Sequence, residues 1–161
     1  MAHPRTGRIL LTAALLTSIA VVPAAAATER PTAPHAAAAA VSGTPEVAYH
    51  HVADFYGSYI DAIYDGDSNN LSRTLRTFYL TPQLRKRLAA WESKNHADGV
   101  LRAQNVPTGW RVTAGNSGAG HTWSEVRLTW GSPSHPSYTY LAIQSDLATR
   151  KISDIKAGRN R

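Results

Sequence analysis

Cysteine is absent from this 161-residue chain. That removes disulfides, thiolate zinc sites and any lipid-modified cysteine at an export junction. A domain without such staples must hold by packing, which calls for roughly a hundred well-ordered residues, not a mini-scaffold. The four Trp and seven Tyr, with Leu, Ile and Val, are enough for one ordinary core. Also missing is any apolar run of the roughly twenty residues that a bilayer-spanning helix needs. The longest, Ile9–Val22, has fourteen. The charge is basic, +6, but the Lys and Arg residues form no dense run. That excess gives a mild attraction to anionic surfaces and not the footprint of a nucleic-acid binder.

The start of the chain follows the secretory order of positive, apolar and small residues. Arg5 and Arg8 precede the apolar run, Pro23 breaks it, and Ala25 and Ala27 are the small pair before a cut. There is no twin-Arg pair, so the general export route is expected. Residues 1–27 are thus expected to be a signal peptide, and the product to be secreted, with no stable membrane span after processing. Residues 28–43, rich in Ala and Pro and poor in bulky side chains, read as a flexible spacer. Residues 44–157 read as one domain and 158–161 as a loose basic tail.

Within the domain, Val52, Phe55, Tyr56, Tyr59, Ile60 and Ile63 recur at helical spacing, with His50, Asp54, Asp61 and Asp65 opposite. Thr44 is expected to cap this helix with Pro45 in its first turn, and Asp65-Gly66 to end it. Leu71, Leu75, Phe78 and Tyr79 mark a second, short helix. Thr81-Pro82 opens a third, with Leu84, Leu88 and Trp91 expected inside. After Gly99 the period changes to two, and strands are expected at 110–114, 122–130, 138–145 and 150–156. Val126, Leu128, Trp130, Leu141 and Ile143 should face inward. The expected class is α+β, with N-terminal helices packed on one face of a curved antiparallel sheet of about four strands.

Phe55-Tyr56 with Tyr59, Tyr79-Leu80-Thr81-Pro82, then Asp98, Leu101, Ala103-Gln104, Pro107 and Trp110, and finally Lys151-Ile152 with Asp154-Ile155, carry a resemblance. The pattern, over Val47 to Lys156, resembles an uncharacterised family of small exported bacterial proteins placed among the nuclear-transport-factor-two-like (cystatin-like) α+β folds. The resemblance implies that fold and no activity, so it brings no catalytic residue. Asn105 stands where an acid is expected after the glutamine.

Motif chemistry is thin. His50 and Asp54, four apart on a helix, could pass a proton, but on the face away from the apolar stripe. Asp65, Asp67 and Asn69 begin like a calcium loop, yet Asn70 holds the glycine position and Arg76 that of the bidentate acid. His96, Asp98, His121 and His135 match no metal spacing. Ser134-His135 has no nucleophile-elbow context, and Gly115–Gly120 reads as a hairpin loop. Arg73, Arg76, Arg85, Lys86 and Arg87 could form a basic patch. No catalytic residue, metal ligand or cofactor is therefore assigned. The aromatic residues Tyr56, Tyr59, Trp110, Trp130 and Tyr140 could line a ligand mouth between the first helix and the sheet, since each pairs an apolar body with a polar tip. The expected function is a secreted, non-enzymatic module for an envelope protein or a small amphipathic ligand, as monomer or homodimer. The alternative is a small proton-transfer enzyme of dehydratase or isomerase type.

Overall fold

The apolar stripe of the first helix becomes one wall of the core. A computed structural model describes residues 42–44 and 47–158. The expected signal peptide, most of the expected spacer and the expected tail beyond residue 158 lie outside the described residues. Helix α1 spans Ala48–Tyr64, and it buries Val52, Phe55, Tyr56, Tyr59 and Ile60 while Asp54, Asp61 and Asp65 stay exposed.

The helix does not start as expected. Val47 is its N-cap residue and no side chain caps it. Thr44 sits in the turn before, its N–H donating to His50 Nδ1 at 2.8 Å and its carbonyl accepting from Val47 N at 3.2 Å. An imidazole from inside the helix thus satisfies the loop, instead of a loop hydroxyl satisfying the helix. The helix ends as expected, at Asp65 with Gly66 at φ +81°. A 3₁₀ turn, Ser68–Asn70, follows, with Asp67, Asn69 and Asn70 left-handed, a region that Asp and Asn tolerate better than most residues.

Helix α2 is Leu71–Tyr79 and α3 is Pro82–Asn95. Thr81 caps α3 as its sequence suggests, its hydroxyl oxygen accepting from Leu84 N at 3.2 Å. Leu84 and Leu88 are buried, but Trp91 is only half-buried, because Arg102 lies over its ring at 4.4 Å and takes the place of core.

The sheet is an antiparallel meander of β1 (Gly109–Gly118), β2 (His121–Ser132), β3 (His135–Asp146) and β4 (Ile152–Ala157), paired in chain order. The stretch Gly115–Gly120 is not all loop. Strand β1 runs on through an irregularity between Ala114 and Ser117, and only Ala119 and Gly120, both at positive φ, make the turn. Two positive-φ residues match the right-handed twist of a tight hairpin. Arg150 (φ +57°) falls in the turn before β4. Val126, Leu128, Leu141, Ile143, Ile152 and Ile155 are buried, and α1 and α3 cover that face. Helices on one face of a four-stranded antiparallel sheet make the α+β fold. Among the described residues no helix is long and apolar enough to cross a membrane.

Candidate functional site

The five aromatic candidates do not meet in one mouth. Tyr56 and Tyr59 are buried away from Trp110, the Tyr56 hydroxyl donating to the Val100 carbonyl at 3.3 Å. Trp130 is half-buried, its indole N–H donating to Thr139 Oγ1 at 2.9 Å. Tyr140 lies on the far face. It pairs with Arg127, whereas Leu141 pairs with the buried Val126, and successive residues of a strand alternate faces. Trp110 pairs with buried Leu128, so it faces the helices, but from an edge strand that leaves it 38% exposed.

Two openings lie beside α1 among the described residues. The larger is a polar cleft of about 770 Å³ between α1, α2 and the segment after α3, floored by Tyr59, Arg76, Glu92 and Asp98. Arg76 Nη2 donates to Glu92 Oε1 at 2.6 Å and to Asp98 Oδ2 at 2.9 Å, while its Nε donates to the Tyr59 hydroxyl oxygen at 2.8 Å. Tyr59 donates onward to Asp98 Oδ2 at 2.6 Å. Asp98 Oδ1 accepts from the Val100 and Leu101 amides, both at 2.8 Å, and Gly99 N donates to Glu92 at 2.8 Å. The network pins three helices and the following loop together.

Electrostatics there are those of a structural tie. Burial alone would push the Glu92 carboxyl up, but the Arg76 hydrogen bond and the Gly99 amide hold it below its ordinary value. Burial works against the Arg76 charge too, yet the Glu92 hydrogen bond, the Tyr59 hydroxyl oxygen and the Asp98 and Glu92 charges raise its affinity for the proton. Burial and the Asp98 charge push both the Tyr56 and Tyr59 hydroxyls up. Asp98 accepts four hydrogen bonds, two at each carboxylate oxygen, so both oxygens are already engaged.

An alkaline test follows from the tyrosines. A folded-state value raised above the ordinary 10.0 contributes stability that is fully present below pH 10 and is lost as the pH climbs above it. The urea midpoint should therefore hold to about pH 10 and fall beyond it. Phenolate absorbance should show two of the seven tyrosines silent until the chain unfolds. Full titration of all seven in the folded protein would contradict this placement.

The second opening is an aromatic notch of about 620 Å³, lined by Ile60, Asp61, Tyr64, Pro107 and Trp110 among others. Gly57 sets its wall, since a Cβ there would stand 2.9 Å from Trp110 Cζ2. The indole thus lies against bare helix backbone. Gly57→Ala should gain up to about 1 kcal/mol of helix propensity while displacing the ring. Little change in melting temperature with a red-shifted Trp emission is the expected result, and unchanged emission would mean that Gly57 does not hold the ring.

Most of the remaining candidates are engaged elsewhere, although the buried Nδ1 of His121 has no hydrogen-bond partner among the described residues. His50 is engaged by Thr44 and not by Asp54. Both carboxylate oxygens of Asp67 serve Ser72, from its amide at 2.8 Å and its hydroxyl at 2.7 Å, so the calcium-like start is a helix-capping turn. His96 is the left-handed residue ending α3, and His135 contacts the Ser134 hydroxyl at 3.1 Å. His121 lies near Trp123, ring centres 6.2 Å apart. Among the described residues no three His, Cys, Asp or Glu side chains gather as a metal site would require. The basic residues do not form one patch. Arg76 is internal, Arg85 reaches Thr77, and Arg87 is tied to Ser153 and Asp154 of β4.

Sequence reasoning missed Glu92 and the role of Arg76, which no spacing connects with Asp98. It also missed Asp61 and Tyr64 as companions of Trp110. Their signal was the lone Gly57 in an apolar helix, a mark of close approach.

Comparison with known proteins adds the fold and little else. No family model matches the chain, and no curated protein does. A protein of unknown function from Bacteroides thetaiotaomicron is similar in structure, with a TM-score of 0.52 at 20% identity, over 68% of this chain and 88% of that one. The likeness is one of fold.

Proposed function

We propose that the chain is a secreted, non-enzymatic binding module of the nuclear-transport-factor-two-like kind, holding a small amphipathic ligand at the notch beside Trp110. One observation carries this reading. Trp110 is a large aromatic held 38% exposed at the helix–sheet mouth by a glycine that lets it sit there. Exposed aromatics with a polar tip, beside a concave apolar wall, suit ligand capture. Export is supported by the order of charge, apolar run and small residues at the start of the chain. Against the proton-transfer alternative stands the engagement of its acids and of His50. Asp98 accepts four hydrogen bonds, Glu92 is paired with Arg76, and His50 accepts from Thr44.

The test is a thermal melt of the full chain in a small-molecule extract of the producing cells. A ligand that binds only the folded state raises stability, by about 2.7 kcal/mol at a hundredfold excess over Kd. The melting temperature should rise for the parent chain and for Arg73→Ala, but not for Trp110→Ala. A rise that survives Trp110→Ala and disappears in Arg73→Ala would move the site to the polar cleft.

A further inference from the structure

We propose that the ligand of the aromatic notch is an organic ammonium ion, such as a methylated amine; this rests on reading the notch as the binding site. Charge is the first argument. The chain as a whole is at +6, yet among the described residues the only charged one lining the notch is Asp61. Helix α1 contains Asp54 and Asp61 and no Lys or Arg along its seventeen residues. The notch sits at the C-terminal end of that helix, where the backbone dipole is negative and a basic residue is normally favoured. The last turn of α1 has none, and Asp65 follows it. Acids placed at the negative end of a helix cost stability. A bound cation would reverse that cost.

The rings are the second argument. Four aromatic rings here already have an internal cation over them: Arg76 on Tyr59, Arg102 on Trp91, Arg127 on Tyr138 and Lys151 on Phe78. Trp110 and Tyr64, 38% and 78% exposed, have none among the described residues, although they line the same notch as Asp61. Trp is the best cation–π partner among the aromatic side chains. Nor does the Asp61 side chain have a hydrogen-bond or ion-pair partner among the described residues.

The lining selects the kind of cation. Calcium asks for six to eight oxygen ligands and magnesium for a near-ideal octahedron. One carboxylate between Ile60, Pro107 and two rings offers neither. The same walls accept methyl and methylene groups, which burial favours. An ammonium carrying carbon substituents satisfies the carboxylate, the rings and the apolar walls together.

The experiment titrates choline into the full chain and follows the Trp110 indole N–H by nuclear magnetic resonance, with the uncharged isostere dimethylbutanol in parallel. Choline should bind saturably and dimethylbutanol about fivefold or more weakly. Asp61→Asn, an exposed substitution that leaves the fold intact, should weaken choline about five- to tenfold and leave dimethylbutanol unchanged. Equal affinity for the two probes, indifference to Asp61→Asn, or no response to choline would each overturn the ammonium assignment. If choline fails while cell extract still stabilises the parent chain and not Trp110→Ala, the notch stands and only the ligand class falls. If the extract fails as well, both fall.

Discussion

Leu128→Ala should destabilise the protein by about 2–5 kcal/mol, the usual range for a large-to-small change in a packed core. Leu128 is fully buried, on the strand next to the edge and in the cluster with Phe55, Tyr56 and Leu141. Its removal leaves a cavity that a sheet hydrogen-bonded on both sides of β2 cannot readily collapse. Asp61→Ala, on the exposed side of α1, should cost less than about 0.5 kcal/mol. Paired urea titrations give both numbers. Similar costs for the two would mean that the helix does not face the sheet as described.

Arg76→Ala should be the most damaging polar substitution, at about 2–4 kcal/mol near neutral pH. Removing one partner of a buried ion pair strands the other charge, at about 3–5 kcal/mol for fully buried pairs. Here the side chains of Arg76, Glu92 and Asp98 retain 19%, 25% and 22% exposure, which lowers the figure. Arg76→Lys should not rescue the loss, because a point ammonium cannot serve Glu92, Asp98 and Tyr59 in the fork geometry of a guanidinium. The penalty should also depend on pH. Glu92 is held below its ordinary 4.5, so its contribution is present above pH 4.5 and is lost as the pH falls through its lowered folded-state value. The gap between Arg76→Ala and the parent chain should therefore narrow as the pH falls below 4.5. A gap that stays constant would show that Arg76 acts through packing alone.

Much of the fold is legible in the sequence because periodicity reports burial directly. The stripe from Val52 to Ile63 and the alternation in β2 and β3 both face the core. What escapes is whatever depends on a partner far along the chain. Trp91 looks like core by spacing and is instead covered by Arg102, which a sequence window cannot pair with it. Tyr140 is set on the outer face by one residue of register. Thr44 carries the right chemistry for a cap, but the ring of His50 takes its amide. The polar floor is the extreme case, since Tyr59, Arg76, Glu92 and Asp98 come from three helices and a loop. The five aromatic candidates are scattered in place, because residue type does not disclose which strand is the edge.

The most direct measurement of the binding account is a map of amide and indole shifts on the full chain as fractions of the cell extract are added. The account predicts that the active fraction perturbs Ile60, Asp61, Tyr64, Gly109 and the Trp110 indole, and leaves Arg73, Arg76 and Gln104 of the polar cleft unmoved. Perturbations centred on Arg76, Asp98 and Gln104, with Trp110 silent, would contradict it.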